Sequence, residues 1–143
     1  MSVATEWAGL AAEWERHPLF EALSVTVIEL QRGHACLEME RTATNVLGVR
    51  DSINGGVQAT VAEMAAHIAV TTLLGERERI EGTQDLGISY LYSATSLRTV
   101  IDARVLRHGR LTVVDAEVRV GDEDEEAGRI NAKVRVTCAL ARG

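Results

Sequence analysis

Proline is almost missing from this chain: only Pro18 occurs in 143 residues, which excludes a proline-rich linker anywhere along it. Aromatic residues make up 3%, so a core has to be built from Ala, Val, Leu and Ile. The two cysteines, Cys36 and Cys138, are too few and too far apart for a disulfide framework or metal-ligand spacing. Both fall in strand-like patterns, where a thiol packs as a small hydrophobe, so no metal site is expected. A basic surplus is also lacking. Lys and Arg number 15 against 21 Asp and Glu, a net charge of -6, which argues against a general nucleic-acid binder. The opening residues, Met1 to Glu6, carry no basic region leading into an apolar run. The most apolar stretch, Val57 to Leu74, holds Glu63 and His67 near its middle and has no adjacent basic flanks. It reads as a buried helix rather than a membrane span. The expected setting is the cytoplasm, with no membrane partner.

What is present is globular in character, with 46% hydrophobic and 25% charged residues. The length suits one domain spanning 1–143, with a helical segment over 1–18. Residues 4–16 predict a short helix with Trp7, Leu10 and Trp14 at helical spacing, ended by Pro18. Residues 22–31 and 34–42 predict two strands joined at Arg32-Gly33. A polar loop from Thr42 to Asn54 leads into the long helix, which starts at Gly55-Gly56 and is expected to cap at Gly75. From residue 83 onward the period becomes two: Val114, Ala116, Val118 and Val120 alternate with polar neighbours, as do Ala132, Val134, Val136, Cys138 and Leu140. Breaks at 94–96, 108–110 and 121–128 are each short enough for a hairpin. The acidic run Asp122 to Glu126 suits a solvated hairpin tip. Helix, two strands, one long helix and four strands together predict an α+β domain in which an antiparallel sheet wraps one long central helix.

The long helix carries one anomaly. Thr60, Glu63, His67 and Thr71 fall within about 80° of one another, forming a narrow polar stripe on an otherwise apolar helix. A carboxylate there is costly unless it is paired or reaches a wet cavity. Glu63 and His67, at i and i+4, can simply pair with each other, or the stripe can be solvated. The functional alternative is a general base or nucleophile at a cleft. Gly55-Gly56 allows close backbone approach, and the first amides of a helix point at any carbonyl or anion placed there. A polarising helix N-terminus with a carboxylate two turns along suits attack on a thioester or ester carbonyl.

The segment Asn54-Gly55-Gly56-Val57-Gln58-Ala59-Thr60-Val61-Ala62-Glu63 resembles the His-Gly-Gly segment and downstream Asp/Glu of hotdog-fold acyl-CoA thioesterases, particularly the PaaI-like branch. Gly87 to Ala94 resembles that family's strand after the helix, and Arg107-His108-Gly109-Arg110 with Thr112 to Val118 its basic turn and next strand. The resemblance covers roughly residues 22–140. It departs from the family pattern in three places: Asn54 stands where His is usual, the loop after Asn45-Val46-Leu47-Gly48 is about three residues longer, and Ser93-Ala94 lacks the common proline. The resemblance implies a hotdog domain that hydrolyses an acyl-CoA thioester with neither metal nor organic cofactor. It implies Glu63 as general base or nucleophile, the Gly55 or Gly56 amide as carbonyl-polarising donor, and Asn54 and Asn45 as positioning groups. His67 occupies a position that can orient water or substrate, and Arg107 and Arg110 suit coenzyme A phosphates. Sites in this family form between two subunits, so a homodimer or homotetramer is expected. Two other outcomes stay open: a hotdog dehydratase or hydratase using His67, and a catalytically silent thioester-binding protein in which Asn54 marks lost activity.

Overall fold

Residues 5–15 coil as the Trp7, Leu10 and Trp14 spacing predicts, through a 3-10 turn (Thr5–Trp7) into α1 (Ala8–Glu15). The computed structural model describes residues 3–46, 48–121 and 124–143; Met1, Ser2, Leu47 of the Asn45–Gly48 segment, and Asp122 and Glu123 of the acidic run lie outside them. Pro18 does not only end a helix; it starts α2 (Pro18–Leu23), because a proline at the first helical position gives up an amide that would be unpaired anyway. His17 is the N-cap, its Nδ1 accepting from the Leu19 amide at 3.1 Å. The first strand therefore begins at Val25 rather than residue 22.

The strands are β1 (Val25–Gln31), β2 (His34–Glu40), β3 (Glu78–Tyr90), β4 (Arg98–Arg107), β5 (Leu111–Val120) and β6 (Ile130–Arg142), all paired antiparallel. They make one sheet in the order β1-β2-β4-β5-β6-β3. The expectation of successive hairpins holds for β4, β5 and β6 but not for β3, which pairs with β6 at the far edge. The break after Tyr90 is therefore a crossover to the middle of the sheet. A period-two pattern reports which face of a strand is buried, not which strand lies beside it.

The long helix α3 (Gly55–Thr71) lies against the concave face of this sheet, giving the expected hotdog arrangement. Ala62, Ala65, Ala66 and Ala69 are fully buried in it, so small side chains let the sheet come close while Val61, Ile68 and Val70 fill the remaining space. Opposite them lie Leu37, Met39, Ile101, Val114, Val118 and Val136. Each of the larger buried side chains contributes on the order of 1.5–3 kcal/mol. The helix ends at Thr71 rather than Gly75: Thr72 Oγ1 folds back to donate to Ala69 O at 2.7 Å and accepts from Gly33 N at 2.7 Å, tying the helix end to the β1–β2 turn. No helix among the described residues is long and apolar enough to cross a membrane.

The two sheet edges differ. The β1 edge is covered: Ala4 N donates to Leu30 O at 3.1 Å and Val27 N donates to Glu15 Oε2 at 3.0 Å. The β3 edge has no partner strand among the described residues, and its side chains are half-buried or exposed throughout. The convex face carries a charged lattice. Asp102 sits at its centre, with His34 Nε2 at 2.6 Å from Oδ1 and Arg119 donating to Oδ2 at 2.9 Å. Lys133 bridges Asp115 and Glu117 at 3.0 and 3.1 Å. Burial pushes the Asp102 carboxyl toward neutrality, but the bonds from Arg119 and His34 outweigh it and hold its pKa below the ordinary value.

Candidate active site

Asparagine is among the best N-cap residues, and Asn54 is used as one: its Oδ1 accepts from Gly56 N at 2.8 Å and from Val57 N at 3.2 Å. The amide of Gly56 is thereby committed to the cap. The amide of Gly55, at the first helical position, has no hydrogen bond among the described residues and lies at the positive end of the helix. A groove of about 500 Å³ opens here, lined by Asn54, Gly55, Gln58, Tyr90 and Tyr92 among others. Tyr90 covers Gly55: its hydroxyl donates to Gly55 O at 2.5 Å, and a Cβ on Gly55 would stand 3.0 Å from the ring. A side chain at position 55 would therefore press on the exposed Tyr90 ring, which would have to shift. Close approach is stricter at Gly48 on the groove's rim, where a Cβ would be 2.4 Å from Ser52 Oγ and 2.6 Å from Ser52 O.

Asn45 shapes the loop that leads into the helix. It is fully buried, its Nδ2 donating to Leu23 O and Glu40 O at 3.2 and 2.9 Å and its Oδ1 accepting from Thr42 N at 2.9 Å. Its backbone carbonyl holds the Asn54 amide at 2.9 Å. With the amide engaged in this way, Asn45 positions Asn54 from beneath and does not reach the groove as a free polar group; the expectation that it meets substrate is corrected to that extent.

The polar stripe on α3 forms as predicted, with Thr60, Glu63, His67 and Thr71 all half-buried. Its internal pairing differs from the simplest expectation. His67 Nε2 hydrogen-bonds Thr83 Oγ1 on β3 at 2.8 Å, while Thr60 and Thr71 donate to the helix carbonyls of Gly56 and His67. Glu63 makes no hydrogen bond or ion pair among the described residues. Burial lowers the His67 pKa, and the nearby Glu63 charge only partly offsets this, so the imidazole is biased to its neutral form. Burial, reinforced by Glu63, pushes the Cys138 thiol up to about 11, and burial with Asp102 pushes Cys36 to about 12; neither is a ready nucleophile.

The structure does not gather all the expected residues within one chain. Gly55 and Glu63 are eight residues apart on a straight helix, roughly 12 Å along its axis, too far to act on one carbonyl. Arg107 and Arg110 sit at the opposite end of the sheet from Gly55. There Arg110 lines a groove of about 720 Å³ with Glu78, His108 and Arg142. Sequence patterning does not single out Gln58, which lines the Gly55 groove and is only 3% exposed. The available signal is its position: a polar residue about 140° around the helix from Glu63, on the face that packs inward.

A family model described as the thioesterase superfamily matches residues 50–127, from the loop before α3 to the turn after β5. No curated protein sequence matches the chain. Among solved structures, a thioesterase family protein from Silicibacter pomeroyi superposes with a TM-score of 0.82 at 24% identity, over 92% of this chain and 95% of that one. A mutant thioesterase from Pseudomonas aeruginosa gives 0.80 at 15% identity, over 94% of each chain. A thioesterase from Haemophilus influenzae gives 0.78 at 15%, over 91% of this chain and 87% of that one. These similarities show a shared fold, and the segment matched by the family model contains the capped N-terminus, Glu63 and the whole of α3. The chain belongs to the thioesterase superfamily.

Proposed function

We propose that the protein hydrolyses an acyl-CoA thioester at a site shared by two subunits, with the Gly55 amide of one and the Glu63 carboxylate of the other. The observation that carries this reading is Glu63 itself: a half-buried carboxylate with no partner among the described residues, on a helix otherwise packed with alanine and aliphatic side chains. Such a group is costly as structure and useful as chemistry. The Gly55 N–H polarises the thioester carbonyl, helped by the helix dipole. Glu63 removes a proton from water as the water oxygen bonds to the carbonyl carbon, or attacks that carbon directly to give a mixed anhydride that water then cleaves. In both routes the carbon–sulfur bond breaks and the thiolate leaves, taking up a proton to become the free thiol. The reaction needs no metal or organic cofactor. Asn54 fixes the orientation of the donor amide, and His67 is available to order water beside Glu63.

The open β3 edge supports the shared site. Two-fold pairing of identical strands runs them antiparallel, which brings the Glu78 end of one β3 beside the Tyr90 end of the other. That arrangement closes an edge that otherwise invites uncontrolled pairing. It also carries the basic turn of the partner, with Arg107 and Arg110, toward the groove at Gly55, where coenzyme A phosphates need cations in a protein of net charge -6.

Incubation with short, medium, long and aromatic acyl-CoAs, monitored by thiol release and by hydration of a crotonyl-type substrate, tests the reading. Thiol release supports it; hydration without release indicates a hydratase, and binding without either indicates a silent binder. Sedimentation equilibrium at micromolar concentration should give two or four chains. A 15.5 kDa monomer that cleaves thioesters would overturn the shared site.

A further inference from the structure

The loop that leads into the Gly55 groove is held in a conformation its residues do not prefer. Arg50 at φ 57° and Asp51 at φ 58° stand side by side in the left-handed region, where an L side chain crowds the following carbonyl. Ser24 is the one other such residue besides glycine among the described residues, and it closes α2, where that conformation is usual. No α-helix ends at Arg50 or Asp51. They belong to Arg50-Asp51-Ser52, the roughly three residues by which this loop exceeds the thioesterase pattern. Strained backbone persists only where its surroundings over-determine it. Here the determining group is Arg41. Its amide donates to Leu97 O at 2.8 Å, anchoring it between the end of β2 and the start of β4. Its Nε and Nη2 both donate to Asp51 O, at 3.1 and 2.6 Å. The guanidinium meets no carboxylate among the described residues, so its charge serves that one carbonyl.

From Asp51 the constraint runs one residue at a time to the head of α3. Ser52 O accepts from Gly48 N, Ile53 N donates to Ala94 O, and Asn54 N donates to Asn45 O, each at 2.9 Å. Gly48, Ser52, Ile53 and Asn54 form one wall of the groove, and Arg41 itself does not line it. We infer that Arg41 is a positioning residue for this groove: by clamping the Asp51 carbonyl it holds a wall that otherwise relaxes, and so governs how well substrate binds. This rests on the thioesterase reading above and adds to it a residue that stands outside the site. The chemical step is left to Glu63 and the Gly55 amide. The rival role for a half-buried arginine near a groove is direct contact with an anionic part of the substrate. The two roles separate once the loop is freed of its strain. Glycine takes positive φ about as readily as negative φ. With glycine at 50 and 51 the wall no longer depends on the clamp, whereas a lost charge contact stays lost.

The test follows thiol release from the fastest-cleaved acyl-CoA of the panel above in three proteins: wild type, Arg41→Met, and Arg41→Met carrying Arg50→Gly and Asp51→Gly. Arg41→Met should raise KM by about tenfold while kcat stays within about threefold. The two glycines should bring KM back to within about threefold of the wild-type value. Three results overturn the inference: an unchanged KM, a loss carried by kcat alone, and a raised KM that the glycines do not lower. If Arg41→Met does not fold, Arg41→Lys takes its place, because it keeps the charge and loses the two-pronged contact. A KM raised by about threefold or more and restored by the glycines then supports the inference, and any other result overturns it. If the wild type releases no thiol from any acyl-CoA, hydrolysis fails as a reading, and amide hydrogen exchange decides Arg41 separately. The Ile53 and Asn54 amides should exchange about tenfold faster in Arg41→Met than in wild type and slow again with the two glycines. Equal rates in wild type and Arg41→Met overturn the inference.

Discussion

Asp102 and Glu63 are both carboxylates on the sheet-and-helix scaffold, one buried and one half-buried, and yet their surroundings are opposite. Asp102, on the convex face, is met at both oxygens by His34 and Arg119, with Arg104 at 3.8 Å. Glu63, on the concave side, stands beside a neutral His67 that has taken Thr83 as its partner, and beside a Cys138 thiol that stays protonated. Burial alone does not set these two carboxylates apart; the completeness of their partners does. The same contrast holds between Asn45, whose amide is fully engaged, and Gln58, whose oxygen is not.

Glu63→Gln should give the largest effect. It keeps shape and removes the charge, and thioester turnover should fall by roughly 10²–10⁴ with substrate binding and thermal midpoint nearly unchanged. Near wild-type turnover would remove Glu63 from the chemistry. Asp102→Asn is the mirror experiment. It leaves Arg119 with only Glu117, at 3.8 Å, as counter-charge and should cost about 2–3 kcal/mol in urea denaturation while kcat/KM stays within about threefold. A loss of activity with stability intact would erase the distinction between the two clusters.

Asn54→His comes next. If Asn54 serves as cap and orienting group, a histidine changes turnover by less than about tenfold, with some loss of helix capping. A large gain in kcat would show instead that asparagine limits the reaction. The smallest effect concerns His67. Its pKa is lowered in the folded state below 6.5, so unfolding takes up a proton and stability falls as pH drops through and below 6.5. Asp102, lowered from 3.8, contributes its own loss only at more acidic pH, as its carboxylate becomes protonated. His67→Gln should therefore flatten the denaturation midpoint in the range just below pH 6.5 and leave the steeper acid limb in place. Parallel profiles for wild type and variant would show that His67 is not the titrating group in that window.

Much of this was legible in the chain. Alternation of apolar and polar residues located β5 and β6, because a half-buried strand must obey a period of two. The apolar run with a glycine pair at its head located α3, since nothing but a buried helix tolerates that composition with Glu63 inside it. The spacing from Asn54 to Glu63 carries the resemblance on which the proposed site rests. Pro18 and Gly75 were read less well. Either residue is compatible with an end or a beginning, and which one obtains depends on the caps that neighbouring segments supply, His17 in one case and Thr72 in the other.

Sequence by itself determined the composition of the core, the helix with its polar stripe, and the types of residue that could do chemistry, because these follow from periodicity and from the cost of burying charge. Only the tertiary structure decided the strand order, the covering of β1 and the opening of β3, since hydrogen bonds between strands are made by backbone groups that every sequence shares. Partners, too, were settled only there. His67 met Thr83 rather than Glu63, and Gln58 kept one oxygen unpaired, because side chains distant in sequence meet only once the chain has folded.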